Sequence, residues 1–458
     1  MKGGKPKAKG AKKGAQGLQE RVLAAIAAQR AGRLDEAEKA YLAVLEAEPV
    51  NVDALHYLGV LRHQQGRTAL GIDLVLRAIT LRPDYFDALN NIGNMYLRFG
   101  PAEAVTAYNK ALRLRPSDPG VLRNLGIALR QLKRHEEAAE LFQRGIRERP
   151  DDMENYYSLA VAYKEMGRSD DAVATLRKAI EVKPESEGFR RLGQILYGLR
   201  RTDEAAQLHE AWLRIEPGNP IAKHMLAACT SRDVPARAAD AFVSRVFDGF
   251  AESFEEVLVN RLEYRAPELV GKALRRIAGE PRGDLDVVDA GCGTGLLAEY
   301  LKPFARRLIG VDLSSKMIVK AAPRPYDRLI VYELAAFLDS APRSFDVVAS
   351  ADTLVYFGDL REVLAAARRS LRDGGRLVFT LEHAADEAEV PVGYRIHPHG
   401  RYSHTEPYVR GTLAEADFEV LEIQKAHLRR EGAAYVDGLV VAARTAGRTG
   451  DTSSSPNP

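Results

Sequence analysis

The chain has 458 residues, of which 46% are hydrophobic and 28% charged, and its net charge at pH 7 is only +3. This length predicts two or three globular domains. The sequence has no window of the roughly 18 consecutive apolar residues that a membrane span needs, and no apolar stretch after its basic start that would make a secretory signal. The two cysteines, Cys229 and Cys292, indicate neither a disulfide framework nor a metal site. We therefore expect a cytoplasmic protein without a membrane segment.

The two ends of the chain differ in composition from the rest. Residues 1–17 are rich in lysine and glycine and poor in apolar side chains, which predicts a disordered basic tail. Such a tail either contacts a nucleic acid or an acidic partner, or stays in solvent. Residues 446–458 are rich in serine, glycine and proline, and we predict a second disordered tail there.

A sequence repeat follows the basic tail. Prolines recur 33 or 34 residues apart, and apolar–glycine pairs such as Leu58-Gly59 and Leu125-Gly126 follow the same period. The repeating prolines are Pro49, Pro83, Pro116, Pro150, Pro184 and Pro217. Each unit is typical of two amphipathic helices with small residues where they cross and a proline that ends the second helix. This pattern resembles the tetratricopeptide repeat (TPR) and predicts six repeats over residues 18–219, stacked into an α-solenoid.

The resemblance also implies which side chains line the concave groove of the solenoid. In TPR proteins the groove is lined by set positions on the first helix of each pair. Carried onto this sequence, these positions include His56, Asn90, Asn91, Asn94, Arg123, Asn124, Arg130, Lys164, Arg190 and Arg191. Amides can bind the backbone of an extended peptide, and cations can bind its carboxylates. We therefore expect a protein or peptide partner, with Asn90, Asn91, Asn94, Arg123 and Asn124 as the principal contacts; the alternative is that these residues merely face water.

Residues 220–280 lack the repeat and are predicted to form a helical connector or cap. Phe242, Phe247 and Phe250 recur at helical spacing and predict one helix, and residues 266–277 predict another. The aromatic stripe either packs into the core or covers a ligand. Tyr264 is a polar side chain of interest between the two helices.

The segment Asp289–Gly295 follows a short apolar run and carries glycines at every second position. A buried strand that enters a glycine-rich turn is typical of a nucleotide-binding half-site, and a second apolar run ends in an acid, Asp312, as such a site requires. The dinucleotide fingerprint would need a further glycine at position 296, where Leu296 stands. The pattern is therefore D-x-G-x-G-x-G rather than that of a dinucleotide site.

Strands and helices alternate after Asp286, which predicts a mainly parallel, doubly wound sheet over residues 281–445. The predicted strands lie at 287–290, 307–312, 329–332, 345–350 and 376–381. Two more strands, 418–423 and 438–443, are predicted to form a closing antiparallel hairpin. The fold class is thus an N-terminal α-solenoid followed by a Rossmann-like α/β domain.

The glycine turn and the motifs after it resemble those of class I S-adenosylmethionine (SAM) methyltransferases. The similarity includes the acids that end the second and third strands, Asp312 and Glu333, and the segments 345–348 and 371–376. It implies that SAM is the cofactor, that Asp289 organises its methionine amino group, that Asp312 accepts its ribose hydroxyls and that Glu333 meets the adenine amino group. The residues implied to bind the cofactor are Asp289, Gly291, Cys292, Gly293, Gly295, Asp312, Leu313, Met317, Glu333, Leu334 and Ser350.

The resemblance extends to bacterial methyltransferases that carry TPR repeats and covers residues 18–444. Within the connector, residues 247–254 resemble the N-terminal segment of many small-molecule class I methyltransferases, where such helices cover the cofactor and the substrate. The fold and the cofactor follow from this resemblance, but no substrate does.

A general base is needed only if the methyl acceptor has a proton to lose. Candidates follow the predicted fifth strand, namely Glu382, His383 and the segment 400–404. We take His404 as the base or acceptor contact, and a histidine of a surface loop without a catalytic role is the alternative. His397-Pro398-His399 provides two histidines without a clear third ligand, so no metal site is predicted.

The functional prediction is the transfer of a methyl group from SAM to an unknown acceptor, either a small molecule or one bound to a carrier or protein. One alternative is a protein methyltransferase whose TPR groove recruits the substrate. Another is a TPR adaptor with a non-catalytic SAM-binding domain. A nucleic-acid substrate is not expected, because Ser350-Ala351-Asp352-Thr353 stands where amino-directed base methylation requires an Asn/Asp-Pro-Pro-Tyr type motif.

Overall fold

The computed structural model describes residues 7–251, 254–255, 262–385, 390, 392–431 and 434–446, with side chains from residue 16 onward. The chain divides into two compact units, Met1–Leu199 and Arg200–Pro458.

The described part of the first unit is helical throughout. Its helices α1 to α11 span Lys7–Arg30, Leu34–Ala47, Val52–Gln64, Thr68–Leu81, Phe86–Tyr96, Pro101–Leu114, Pro119–Gln131, His135–Glu148, Met153–Glu165, Ser169–Val182 and Ser186–Gly198. The helical-repeat part of the fold prediction is confirmed. Helix α1 differs from the expectation, because it begins at Lys7, inside the segment predicted to be disordered. Lysine, alanine and glutamine there are good helix formers; residues 1–6 lie outside the described part.

Local sequence explains where the repeat helices begin, end and cross. At the start of α7, the Asp118 carboxylate accepts a hydrogen bond from the Val121 N–H, and Pro119 occupies the first turn, where a missing N–H costs nothing. Helix α6 ends at Leu114, two residues before Pro116. Where α7 crosses α8, the absence of a side chain at Gly126 makes room for the fully buried ring of Phe142.

The second unit combines helices with a sheet. Its helices α12 to α20 span Thr202–Ile215, Pro220–Thr230, Asp240–Phe250, Ala266–Ala278, Ala298–Leu301, Ser315–Ala321, Leu334–Asp339, Arg361–Ser370 and Glu406–Glu415. Its strands β1 to β9 span Leu285–Ala290, Ala305–Asp312, Arg328–Val331, Phe345–Ser350, Leu371–His383, Tyr394–Ile396, Tyr402–His404, Phe418–Glu431 and Ala434–Thr445.

Within the described residues the nine strands form one sheet in the order β3-β2-β1-β4-β5-β7-β6, and β9 pairs with both β5 and β8. Strands β1 to β5 are parallel, whereas β9 runs antiparallel to β5 and β8. The crossover from β3 back to β4, beside β1, puts a switch point at the carboxyl ends of β1 and β4, where open α/β sheets bind ligands. The predicted α/β fold and its closing antiparallel hairpin are both confirmed.

Two apolar cores, one on each face, explain why the central strands are continuous hydrophobic runs. Strand β1 is buried along almost its whole length. Val288 belongs to a core with α18, α19 and α20, while its neighbour Val287 belongs to a core with α15 and α16. Because successive side chains of a strand point to opposite faces, both must be apolar when helices cover both sides.

Helix α13 packs against the loop that precedes β7. Asn219 caps the helix, since its side-chain oxygen accepts hydrogen bonds from the N–H groups of Ile221 and Ala222. The buried His224 donates from Nε2 to the carbonyl of Gly400 at 2.7 Å, and its ring lies 4.0 Å from that of Phe242 on α14. Helix α13 is therefore integrated into the second unit.

No helix in the described ranges is both long enough and apolar enough to cross a membrane.

Replacing Gly126 with alanine tests the close crossing of α7 and α8. The added Cβ would lie 2.6 Å from Cε1 of Phe142, so we expect a loss of about 1–3 kcal/mol in the free energy of unfolding, as for overpacked cores. Thermal unfolding of the full chain, followed by far-ultraviolet circular dichroism, measures it. The control is Gly17→Ala in α1, where no atom lies within 4 Å of the added Cβ. Equal destabilisation by both changes would contradict the interpretation.

Candidate cofactor and acceptor site

The glycine turn after β1 is tied to the neighbouring strand β2. The amide N–H groups of Gly291 and Cys292 both donate to the carbonyl of Val311, at 2.8 and 2.9 Å. Gly291, Gly293 and Gly295 have φ values of +80°, +54° and +85°, which side chains disfavour. A Cβ at Gly291 would also overlap the side chain of Thr353. The turn therefore requires glycine for both its conformation and its packing.

Asp312 ends β2 and receives backbone hydrogen bonds from two directions. Its Oδ2 accepts from the N–H of Gly293 at 2.9 Å, and its Oδ1 accepts from the N–H of Ser314 at 2.8 Å. Burial raises its pKa, while these hydrogen bonds oppose the rise. Ser314 also caps α17 and donates its hydroxyl to Asp248 of α14 at 2.5 Å. The carboxylate thus joins the glycine turn to α17 and lies close to α14.

Asp289 is buried with one oxygen satisfied and the other not. Its side chain is 1% exposed, and Oδ2 accepts from the Tyr326 hydroxyl at 2.5 Å, whereas Oδ1 has no hydrogen-bond partner among the described residues. Burial raises the pKa of Asp289 to about 7, the Tyr326 hydrogen bond opposes the rise, and the charge of Asp312 adds to it. An unsatisfied buried carboxylate oxygen suits a ligand that brings a cationic or N–H group, such as the methionine amino group of SAM.

Glu333 and Ser350 lie at the ends of the two strands beside β2 and β1. Glu333 follows β3 and caps α18, because its Oε2 accepts from the Ala336 N–H at 2.7 Å. Ser350 ends β4 and donates its hydroxyl to the Ala290 carbonyl at 2.7 Å. Both side chains therefore already hold the backbone near the turn, and their contacts to a cofactor remain predictions.

The other residues predicted to bind the cofactor lie on the same edge of the sheet. Met317 is fully buried in α17, and Leu334, at the start of α18, is 8% exposed. Cys292 is buried in the glycine turn, and burial raises the pKa of its thiol. Leu313 lies between Asp312 and Ser314. Backbone contacts are therefore the main way in which these residues could reach a ligand.

A cleft of about 330 Å3 adjoins the glycine turn. It is lined by Ala251, Glu255, Thr294, Glu299, Lys320, Pro323 and Arg324. Thr294, between the second and third glycines, is 1% exposed, and its hydroxyl has no partner in the described part of the chain. Sequence reasoning missed this threonine, because nothing in the motif distinguishes it from a spacer between glycines.

His404 is enclosed in the structure rather than exposed on a loop. It ends β7, is 0% exposed, and Nε2 donates to the Gly358 carbonyl at 3.0 Å. Burial lowers its pKa to about 4, so the ring is neutral at physiological pH. The alternative of a surface histidine is therefore wrong. Its role as a base stays a prediction, for which the structure gives no exposed ring nitrogen.

A buried network of charges lies at the carboxyl end of β5, and sequence reasoning did not anticipate it as a unit. Its centre is Arg429 of β8, which is 4% exposed and bonds three carboxylates: Asp352 at 2.6 Å, Glu431 at 2.8 Å and Glu382. Arg401 bonds Glu382 at 2.6 Å and Glu431 at 2.5 Å. This network, Asp352, Glu382, Arg401, Arg429 and Glu431, is called the acceptor-side network below.

Most polar groove residues of the TPR helices bond to neighbouring helices. The amide of Asn91 donates to Nε2 of His56 at 2.9 Å, and that of Asn124 donates to Oδ1 of Asn94 at 3.0 Å. Arg123 pairs with Asp152 at 3.1 Å. Three further groove cations are also paired with acids: Arg130 with Glu165, Arg190 with Glu187 and Arg191 with Glu187.

Asn90 and Asn94 differ from the other groove amides. The Oδ1 of Asn90 is buried without a partner within the described ranges. Asn94 is exposed, although its Oδ1 also accepts from the hydroxyl of Tyr108 at 2.7 Å. The groove thus offers amide groups, while its four arginines are paired with three carboxylates, because Arg190 and Arg191 share Glu187.

The described residues contain no cluster of three or more histidine, cysteine, aspartate or glutamate side chains that could hold a metal ion.

Comparison with known families matches both parts of the chain. Residues 288–379 match the methyltransferase domain family, and residues 22–86, 95–152 and 157–220 match the tetratricopeptide repeat family. The chain therefore contains TPR repeats followed by a class I methyltransferase domain, as the sequence predicts. A domain of this class implies S-adenosylmethionine as the methyl donor.

Curated relatives are similar to the methyltransferase part only. A ubiquinone biosynthesis O-methyltransferase of Thiobacillus denitrificans is 34% identical over 105 residues, which are 22% of this chain and 45% of the relative. A malonyl-[acyl-carrier protein] O-methyltransferase of Hamiltonella defensa is 27% identical over 138 residues, which are 30% of this chain and 51% of the relative. The chain thus spans about half the length of the curated relatives it matches.

Among solved structures, a MamA protein is similar, with 24% identity and a TM-score of 0.34. The match covers 36% of this chain and 92% of that protein.

Removing one hydroxyl tests the electrostatics of Asp289. Tyr326→Phe deletes the hydrogen bond to Oδ2. We therefore expect the pKa of Asp289 to rise further and the free energy of unfolding of the second unit to fall by about 1–3 kcal/mol. Since the lost bond favours the ionised carboxylate, the destabilisation should be larger at pH 8 than at pH 5. Urea unfolding followed by the fluorescence of Trp212, the single tryptophan, measures it.

The matched control for that experiment is Tyr332→Phe, since Tyr332 is 49% exposed. It should leave the unfolding midpoint unchanged at both pH values. A Tyr326→Phe protein that is equally destabilised at pH 5 and pH 8 would show that the hydroxyl does not act through the charge of Asp289.

Proposed function

We propose that this protein transfers the methyl group of S-adenosylmethionine to an acceptor that is a small molecule or is bound to a carrier or a protein. The observation that carries the proposal is a pair of acids, the buried Asp289 and the half-buried Asp312, beside a turn whose three glycines have positive φ. Each acid lies at the carboxyl end of a parallel strand, Asp289 on β1 at the switch point and Asp312 on the adjacent β2, at the sheet edge where α/β folds bind ligands.

Bound SAM would supply an activated methyl group, so the protein's own task is to bind, orient and desolvate. Asp289 would receive the methionine amino group at its unsatisfied Oδ1. Asp312 would accept the ribose hydroxyls, and Glu333 and Leu334 would meet the adenine. The glycine turn would let the backbone come close to the ligand, since it carries no side chains at its three glycines.

The names of the relatives include methylation in ubiquinone biosynthesis and of malonyl-[acyl-carrier protein]. Both are O-methyltransferases, which supports an oxygen acceptor here. These names do not decide whether the acceptor of this chain is a hydroxyl group or a carboxylate.

We also propose domain limits for this function. Residues 18–219 would form the repeat array, 220–280 the connector and 281–445 the methyltransferase domain, with tails at 1–17 and 446–458. A cytoplasmic location remains a prediction from the sequence.

Calorimetric titration of the full chain with SAM tests the cofactor site. Asp312→Asn keeps the shape of the side chain but removes its charge and one acceptor atom, so we expect SAM to bind at least about tenfold more weakly, a loss of roughly 1.4 kcal/mol or more. Asp339→Asn is the matched control, because Asp339 is exposed and pairs only at the surface with Arg369. No binding of SAM by the wild type would refute the proposal.

The TPR array, we propose, binds a protein or peptide partner in extended conformation, mainly through amides. The pairing of Arg123, Arg130, Arg190 and Arg191 with carboxylates leaves less positive charge for an acidic peptide. Asn90 has an unsatisfied buried oxygen and Asn94 is exposed. Side-chain amides can both donate to and accept from the backbone of a strand-like peptide.

Selection of a phage-displayed random peptide library on the immobilised full chain tests the groove. We expect enriched peptides to bind the double variant Asn90→Ala/Asn94→Ala at least about fivefold more weakly, since two hydrogen-bonding groups are lost. Glu140→Ala, an exposed position on the second helix of a pair, should bind them like the wild type. Equal binding to all three proteins would exclude this part of the groove as the binding surface.

A further inference from the structure

The acceptor-side network carries a surplus of negative charge. Its three carboxylates face two guanidinium groups, and His399, 3.6 Å from Glu382, adds no charge. Burial and the charge of Arg401 lower the pKa of His399 to about 3. Burial raises the pKa of Glu382, but Arg401 and Arg429 lower it more, to about 2. The network therefore has a formal net charge of −1 at neutral pH, which disfavours the binding of a ligand with a carboxylate.

Asp352 is the member of this network beside the glycine turn. It lies two residues after Ser350, which bonds the end of β1, and directly before Thr353, whose hydroxyl donates to the Gly291 carbonyl at 3.0 Å. Thr380 accepts from the Asp352 N–H at 2.9 Å. The side chain of Asp352 is 15% exposed, against 4% for Arg429. Its Oδ2 accepts from Arg429 and its Oδ1 accepts from the Thr380 hydroxyl at 3.3 Å, so a ligand would have to use a remaining lone pair of the carboxylate.

Half-buried aromatic rings connect the glycine turn to the network. Phe254 lies 3.9 Å from the position of a Cβ on Gly293. The ring of Phe247 is 6.0 Å from that of Phe254 and 5.5 Å from that of Tyr356. Burial raises the pKa of the Tyr356 hydroxyl, the charges of Arg401 and Arg429 oppose the rise, and those of Glu382 and Asp352 add to it. Rings at these distances provide a surface for an aromatic or otherwise apolar molecule.

We propose that Asp352 receives the hydroxyl group of the methyl acceptor, and that this acceptor is an uncharged molecule with a hydroxyl on an aromatic or otherwise apolar body rather than a carboxylate. This inference rests on the proposed methyl transfer and names its substrate class. Asp352 supplies a carboxylate that accepts the hydroxyl hydrogen, and Phe247 and Tyr356 supply the apolar contact. Arg429 holds Asp352 in place through a hydrogen bond of 2.6 Å to Oδ2.

Methylation of such an acceptor releases a proton, and the carboxylate at position 352 can accept it. Methylation of a hydroxyl forms an O–C bond, breaks the S–C bond of the methyl donor with its electron pair left on sulfur, and frees one proton. The Asp352 carboxylate accepts that proton and passes it to water. A carboxylate acceptor would have no proton to lose and would need no such group.

Ligand-observed fluorine NMR with two probes tests the inference on the full chain. At neutral pH 4-fluorophenol is uncharged and 4-fluorobenzoate is an anion, while both have the same ring. With S-adenosylhomocysteine present, we expect 4-fluorophenol to bind at least about fivefold more tightly than 4-fluorobenzoate. Calorimetry with S-adenosylhomocysteine on the same samples separates this question from the proposed function: if the wild type does not bind it, the methyl-transfer proposal itself fails.

Asp352→Asn is the informative variant. Asp352 has φ of 55°, a left-handed conformation that asparagine tolerates as well as aspartate, so the backbone should be kept. We expect weaker binding of 4-fluorophenol, stronger binding of 4-fluorobenzoate because the surplus charge is gone, and unchanged binding of S-adenosylhomocysteine. Asp373→Asn, an exposed surface position paired with Arg343, should behave like the wild type.

Phe247→Ala provides a second measurement that does not depend on the charges. It should lower the affinity for 4-fluorophenol while S-adenosylhomocysteine still binds. The inference is overturned if the wild type prefers 4-fluorobenzoate, if it binds neither probe, or if Asp352→Asn leaves the preference between the probes unchanged.

Discussion

Two amide N–H groups, those of Gly291 and Cys292, converge on the carbonyl of Val311, and the candidate site depends on this junction. It turns the chain away from β1 while holding it against the end of β2, which puts Asp289 and Asp312 close enough for their charges to interact. Two neighbouring carboxylates with little exposure to solvent oppose each other's ionisation. Asp312 is compensated by backbone N–H groups, whereas Asp289 retains one unsatisfied oxygen. Among the described residues, the buried hydrogen-bonding groups left without a partner at the turn are thus Oδ1 of Asp289 and the hydroxyl of Thr294.

The two units use polar side chains in opposite ways. In the repeat array, hydrogen bonds such as that from Asn124 to Asn94 link successive helix pairs, so each joins only neighbours. In the methyltransferase unit, strands β5 and β8 and the residues that follow β4 converge on the single guanidinium of Arg429. A local change in the array should therefore stay local, while a change at Arg429 would leave several buried carboxylates without compensation.

Two kinds of element could be predicted from the sequence: those that follow a periodic pattern, and those whose motif requires one particular backbone geometry. The proline spacing gave the helix pairs, and the D-x-G-x-G-x-G turn located the strand ends at Asp289 and Asp312. It could not reveal the acceptor-side network, because Asp352, Glu382 and Arg429 are distant in the chain and meet only through strand order. The burial of His404 was hidden for the same reason: a histidine after a loop gives no sign that β7 inserts beside β5. The helical start of the basic tail could not be predicted in the same way, because residues 7–17 combine the high charge of a disordered segment with several good helix formers.

Helix α13 has a consequence for how such proteins can be recombined. It follows the last predicted repeat directly, yet His224 bonds the backbone of Gly400, next to Arg401 of the acceptor-side network. Helix α13 therefore packs with the methyltransferase fold, although it lies outside residues 281–445 proposed for that domain. A methyltransferase domain excised after Thr230, or grafted onto a foreign array, would lose the support of the Gly400 loop. A methyltransferase domain of this architecture should therefore keep α13 when it is transferred to another protein.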